Sequence, residues 1–259
     1  MGEGQVMGQG SGPDEPAKAV PPEQVAPRLI GELLGLLAHD LRNPLSALHS
    51  NLGYLDAVLA SRDEEVREAI EDGLVSCDGL SHVIDNVDLF GQALRGAGET
   101  PVQGSASPVA ALIASAVESC QAAARSHGLV LQLEASARQI HATVEAGREL
   151  ATRALGNLVR NSIQHAPPAS TVTVSAAVDG PWVKIQVRDC GSPFPENAKK
   201  NAFTAEGQVA AKARSGRYSR GMGLYCAELA ASLCGARIEV LASSEADGNV
   251  FELALRRSR

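Results

Sequence analysis

Aromatic residues make up only 3% of the 259-residue chain, with a single tryptophan, Trp182. Platforms that stack successive nucleobases are hard to build from so few rings. Basic charge is short as well: 23 Lys and Arg stand against 30 Asp and Glu, a formal net charge of −7. Binding nucleic acid by neutralising phosphates needs the opposite balance, so no nucleic-acid partner is expected. There is no run of about 18 apolar residues, so no transmembrane segment is expected. The opening MGEGQVMGQG lacks the basic-then-apolar order of a secretory signal. Val6 stands where a myristoylation signal wants Ser or Thr. The five cysteines, Cys77, Cys120, Cys190, Cys226 and Cys234, are odd in number and form no Cys-x-x-Cys. That argues against a disulfide framework and a zinc site, and for free thiols in a reducing, cytoplasmic setting. What remains, 44% hydrophobic and 20% charged, is the make-up of an ordinary globular protein of one or two domains.

Residues 1–27 are rich in Gly, Pro, Gln and Glu and carry no apolar periodicity, which predicts a disordered leader. From Arg28, Leu34, Leu37, Leu41, Leu45, Leu48, Leu52, Leu55 and Leu59 recur at spacings of three and four, a long amphipathic helix that Pro44 inside it is expected to kink. Ser61 followed by Glu64 fits a capping box opening a second helix, whose stripe runs through Val66, Ile70, Leu74, Cys77, Leu80 or Ser81, Ile84, Val87 and Leu94. One hairpin of two such helices, residues 28–95, cannot bury both stripes. Two hairpins paired as a four-helix bundle can, so a two-fold dimer is expected. Residues 96–107 form a turn-rich linker. Beyond it, residues 108–259 mix the two periodicities. Helices are predicted over 108–126, 148–165 and 222–234, with strands over 129–134, 139–144, 172–178, 182–188, 237–241 and 250–255. Helices on one face of a mixed sheet, an α/β sandwich, account for this order. The fold class is therefore α+β.

Four segments could carry chemistry. In HDLRNPL, His39 and Asn43 fall on the side of the helix away from Leu37 and Leu41, with Asp40 beside the imidazole. A neutral imidazole with one nitrogen held by a carboxylate is a better nucleophile at the other. In NLVRNSIQH, Asn157, Asn161 and His165 share a helix face, and carboxamide oxygens can hold Mg²⁺ without adding negative charge near phosphates. In DCGSPFP, Asp189 closes a strand where its carboxylate can accept from an exocyclic amine, and Gly191 leaves room for a flat ring. In SRGMGLY, Gly221 and Gly223 open a helix whose N-terminal amides suit an anion. The basic stretch before it, with Lys199, Lys200, Lys212, Arg214, Arg217 and Arg220, suits a flap over phosphates. Taken singly, each segment also has an ordinary reading: a solvated histidine, a polar stripe, a turn, a loop.

Together and in this order, the segments resemble the sensor histidine kinases of two-component systems. HDLRNPL resembles the phosphoacceptor box, LGNLVRNSIQHA the asparagine box, DCGSPFP the first glycine box, AFTAEG around Phe203 the phenylalanine box and SRGMGLY the second glycine box. The similarity runs from about residue 29 to the C-terminus. It implies a dimeric helical hairpin followed by a Bergerat-type ATP-binding α/β sandwich, using ATP and Mg²⁺. His39 would be the phosphorylated nucleophile, Asp40 its base, and Asn43 the residue orienting water for dephosphorylation. Asn161 would bind the metal with Asn157 assisting. Asp189 and Gly191 would receive adenine, and Phe203, Gly221, Gly223 and Leu224 would complete the nucleotide site. The phosphoryl group would pass to an aspartate on a separate response regulator, with an upstream sensor or receptor as a further compatible partner.

Three departures stand out: Pro193 and Ser219 replace customary glycines, and Gln164 replaces a basic residue. The first two motivate an alternative, a non-catalytic dimeric scaffold. A mainly phosphatase role, and another branch of the same ATPase superfamily, are further alternatives. The His39 hairpin speaks against the last.

Overall fold

The computed structural model describes residues 27–59, 64–95, 106–194, 199, 201–208, 222–244 and 248–258. Two long helices, α1 (Pro27–Leu59) and α2 (Glu64–Arg95), form an antiparallel hairpin. Their mutual seam repeats every seven residues. Ala38 and Leu45 on α1 are buried against Cys77 and Ile84 on α2, with Leu52 and Val87 packed alongside. Small residues let the backbones approach: a Cβ on Gly31 would lie 2.6 Å from the Gly91 carbonyl oxygen. Arg42 Nη2 donates to Asp85 Oδ1 at 3.0 Å across the seam.

The leucine stripe expected to form one seam divides into two. Leu37, Leu41, Leu48 and Leu55 are 51%, 46%, 50% and 41% exposed, so they form a second apolar stripe beside the intramolecular one. A helix in a four-helix bundle must face two neighbours, and a hairpin supplies only one.

The rest of the chain builds the α/β layer. β1 (Ser107–Pro108) pairs antiparallel with β3 (Thr143–Val144). Helices α3 (Val109–Glu118), α4 (Gln121–Ser126), α5 (Ala135–Arg138), α6 (Arg148–His165) and α7 (Gly223–Leu233) accompany a five-stranded sheet. The sheet contains β2 (Val130–Leu133), β4 (Thr171–Asp179), β5 (Trp182–Asp189), β6 (Arg237–Ser244) and β7 (Gly248–Arg256) in the order β2-β4-β5-β7-β6. β2 runs parallel to β4, and the other neighbours are antiparallel. Alternate residues such as Val174, Ile185, Val187, Phe251 and Leu253 point to the inner face and are buried with Leu155, Leu158 and Ile163 of α6. This is the period-two pattern of a half-covered sheet.

Several expectations need correction. The helix expected over 108–126 is two helices, because the chain tightens at Ser119 and Cys120, where Cys120 N–H donates to the Val117 carbonyl at 3.0 Å. The strand expected over 139–144 shrinks to Thr143–Val144, and the short α5 precedes it. Ser107, expected to end the linker, already belongs to β1. Pro27 opens α1, at the end where proline's missing N–H costs nothing, and the helix continues through position 44. The Ser61 cap, the leader before residue 27 and the linker residues 96–105 lie outside the described residues. Among the described residues, no helix is long and apolar enough to cross a membrane.

Candidate active site

His39 projects from α1 into solvent, its side chain 69% exposed, and Nδ1 lies 3.3 Å from Asp40 Oδ1. A carboxylate only accepts, so Nδ1 carries the proton in a neutral ring and Nε2 keeps its lone pair outward. Asn43, one turn along α1, is exposed as well.

The other expected residues gather around α6. This helix is amphipathic with its polar stripe turned inward at two places: Asn157 is 2% and Asn161 9% exposed. Asn157 Nδ2 donates to the Arg153 carbonyl at 3.0 Å and to Asn86 Oδ1 on α2 at 3.2 Å. Its Oδ1 is buried with no partner. The N-terminus of α7 lies against it, since a Cβ on Gly223 would sit 3.9 Å from both the backbone oxygen and Oδ1 of Asn157. Leu224, the next residue, is 2% exposed in the apolar core. His165, grouped with the two asparagines by its spacing, is exposed.

Asp189 ends β5 on the inner face and is fully buried. Its Oδ1 accepts from Gly191 N–H at 2.8 Å and from Asn249 Nδ2 at 2.9 Å. Its Oδ2 is buried with no partner. A buried acceptor left bare costs about 1–3 kcal/mol, more if charged, and few are tolerated. Two such acceptors, Asp189 Oδ2 and Asn157 Oδ1, belong to residues expected at the nucleotide. Acceptors of this kind fit a ligand that brings an amine donor and a cation, so the residues present suit a nucleotide with its metal. Among the described residues, no group of three or more His, Cys, Asp or Glu side chains could hold a metal alone. A metal here would rely on the asparagine amides and the ligand's own phosphates.

Gly191 lies close to the end of α6. A Cβ there would lie 2.8 Å from the His165 carbonyl oxygen and 3.0 Å from Asp189 Oδ1. The end of α6 thus occupies the side of Gly191 on which a Cβ would stand. Phe203 packs edge-on against Phe251, ring centres 6.4 Å apart, as does Phe194 at 5.9 Å. Gly221, Ser219 and most of the basic stretch lie outside the described residues.

Sequence reasoning missed two groups. Asn249, 2% exposed, bonds Asp189 from the neighbouring strand. On α2, Asn86 holds Asn157, Asp88 Oδ2 lies 3.7 Å from Arg153 Nη1, and the Phe90 ring lies 6.3 Å from Tyr225. Leu89 is fully buried in the core of the sheet domain. A cleft of about 370 Å³ lined by Asp85, Asn86, Arg153, Asn157 and Arg160 separates the two helices beside these contacts.

Residues 29–95 match the His Kinase A (phospho-acceptor) domain family, and residues 146–259 match the histidine kinase-, DNA gyrase B- and HSP90-like ATPase family. The chain belongs to the sensor histidine kinases. Similar proteins agree with this membership. A bacteriophytochrome of Pseudomonas aeruginosa is 27% identical over 215 residues, covering 82% of this kinase chain and 28% of that protein. Sensor protein CreC of Escherichia coli is 28% identical over 193 residues, covering 73% of the chain and 37% of its own length. The chain thus spans between about a quarter and two fifths of these curated relatives. A crystal structure of full-length ShkA in complex with AMPPNP superposes with a TM-score of 0.58 at 22% identity, over 88% of this chain and 46% of that one. This supports the fold of a helical hairpin followed by an α/β ATP-binding domain.

Proposed function

We propose that this chain is an ATP-dependent protein-histidine kinase that phosphorylates His39 and passes the phosphoryl group to an aspartate on a separate response regulator. One combination carries the reading: an exposed imidazole with Nδ1 held by Asp40, in the same chain as a buried Asp189 oxygen with no partner. The hairpin, residues 28–95, would present the acceptor and dimerise. Residues 108–259 would hold the nucleotide. Asp189 would take the adenine amine with Gly191 beside the ring, and Asn161, assisted by Asn157, would hold Mg²⁺, which neutralises phosphate charge. The α7 N-terminus at Gly223, with Gly221, would take phosphates, and Phe203 and Leu224 would wall the site.

In the transfer, Nε2 of His39 attacks the γ-phosphorus in line. The bond to the β,γ-bridging oxygen breaks, and ADP leaves with the electron pair. Asp40 would act as the base, taking the Nδ1 proton as positive charge develops on the ring and leaving a neutral phosphohistidine. Such a reaction asks the protein mainly for positioning and charge neutralisation. The exposed Leu37, Leu41, Leu48 and Leu55 stripe supports a homodimer. A cytoplasmic setting, where ATP and reducing conditions coexist, belongs to the same reading. The second reading, a phosphatase acting on the regulator, is favoured by Asn43, exposed one turn from His39.

The test is incubation with γ-labelled ATP and Mg²⁺. Label that survives base, is lost in acid and is absent from His39→Ala is expected. Label unchanged by that substitution rejects the proposal. Decay of a phosphorylated regulator compared between the wild type and Asn43→Ala separates the second reading.

A further inference from the structure

β5, β7 and β6 lie side by side, and their register sets Asp189, Asn249 and Ser243 opposite one another across three strands. In β7 the inward positions are Leu255, Leu253 and Phe251, all fully buried. Asn249 takes the next inward position, so a carboxamide replaces a hydrophobic side chain at the end of the core. Burying it is costly unless its donors and acceptor are met. They are: Nδ2 donates to Asp189 Oδ1 at 2.9 Å and to the Ser192 carbonyl at 3.2 Å, while Oδ1 accepts from Ser243 Oγ at 2.7 Å. Ser243 Oγ itself accepts from the Phe194 amide at 2.6 Å.

We propose that Asn249, held by Ser243, is a positioning residue for recognition of the base. The inference rests on the ATP reading above and adds to it the groups that select adenine. The terminal torsion of an aspartate is broad and roughly two-fold, so a carboxylate held only by the Gly191 amide can rotate and offer either oxygen. Two donors converging on Oδ1 remove that freedom and leave Oδ2 as the one acceptor without a partner. A base with an amine at that edge donates to it. A base with a carbonyl oxygen there sets acceptor against acceptor and is refused. The same relay grips the Ser192 carbonyl and the Phe194 amide, on either side of Pro193. The turn after Asp189 is thereby anchored without the customary glycine.

The experiment is calorimetric titration of the full chain with Mg²⁺-ADP and Mg²⁺-IDP, whose hypoxanthine base lacks the amine. Asn249→Ala should weaken ADP by about tenfold, the usual effect of one charge-assisted hydrogen bond. IDP should change little, so the ADP-to-IDP preference collapses. Ser243→Ala should move the preference the same way by a smaller factor, and Ser243→Thr, which keeps the hydroxyl, should restore it. Ser243 is only partly buried, so its variants carry the test should Asn249→Ala fail to fold. A general loss of packing would weaken both nucleotides together. That result, or an unmoved preference in folded variants, overturns the inference alone. A wild-type chain that binds neither nucleotide overturns the ATP reading and this inference with it.

Discussion

Asn157 Nδ2 donates to Asn86 Oδ1 at 3.2 Å, joining α6 to the second helix of the hairpin. The amide is thereby oriented with its oxygen, which has no partner, free for a ligand. The bond belongs to a contact made by consecutive turns of α2. Asp88 faces Arg153, Leu89 enters the sheet-domain core, and Phe90 lies beside Tyr225. Apolar burial dominates that contact, since an ion pair at 3.7 Å and partly exposed is worth under about 1 kcal/mol. Leu89→Ala should therefore weaken docking by about 2–5 kcal/mol, and Asn86→Ala by about 1 kcal/mol. Hydrogen exchange should show α2 residues near 84–92 losing protection in that order. Equal protection in Leu89→Ala would mean the two parts are not energetically coupled.

Asp40→Asn tests the acceptor. The side chain keeps its size beside Nδ1, but it can no longer take the ring proton. Phosphorylation should slow by about a hundred- to ten-thousand-fold, with nucleotide affinity and dimer mass unchanged. Wild-type rates would remove Asp40 from the chemistry.

Gly248 tests the frame behind Asp189. Its φ is +68°, and a Cβ would lie 1.8 Å from the Asp189 backbone oxygen. Gly248→Ala meets a left-handed conformation and a backbone collision together, so it should cost more than about 2 kcal/mol. Thermal unfolding should show the loss. The surviving folded fraction should bind ADP more weakly, because β7 cannot then present Asn249 to Asp189.

Much of this was legible in the residues. The bounds of α6 follow from the apolar period between Arg148 and His165, and β4 and β5 from strict alternation. His39 does point outward, although Leu37 and Leu41, which fix its direction in the sequence, are themselves half exposed and the buried seam residue beside it is Ala38. The hairpin seam was harder, because several of its tightest positions, Gly31, Ala38 and Gly91, are not leucines. Close approach selects small residues, which carry no hydropathy signal. The break at Ser119 and Cys120 has no Gly or Pro to announce it. Asn249 looks like a turn residue after Gly248, and only the β5–β7 register puts it on Asp189. Asn86 and Asp88 look like a solvated face until α6 is placed against them.

The exposed leucine stripe on α1 has a measurable consequence. Leu48 and Leu55 are 50% and 41% exposed, and transferring such side chains from water is worth about 1.5–3 kcal/mol each when complete. Leu48→Glu with Leu55→Glu should shift the chain from dimer to monomer in sedimentation equilibrium. Far-UV circular dichroism should change little, since the intramolecular seam through Ala38, Leu45, Cys77 and Ile84 is untouched. A dimer that persists would place the two-fold contact elsewhere.

The thiols predict an alkaline limit to stability. Cys226 and Cys234 are buried, and loss of hydration pushes their pKa values from 9.0 up to about 12 and about 11. The fold favours the neutral thiol, so its contribution is fully present below pH 9 and drains away as the unfolded chain ionises above it. It is gone once pH passes the raised values. For Cys226 this amounts to at most about 4 kcal/mol across that window. Urea midpoints should therefore fall between about pH 9 and 12, and the slope should lessen in Cys226→Ala, which cannot ionise. Alkylation of the native chain at pH 8 should give the matching pattern. Cys190, exposed, reacts with iodoacetamide, while Cys77, Cys120, Cys226 and Cys234, all buried, stay unmodified until the chain unfolds. Labelling of Cys226 in the native state at pH 8 would show that the α7 core opens far more readily than its burial implies.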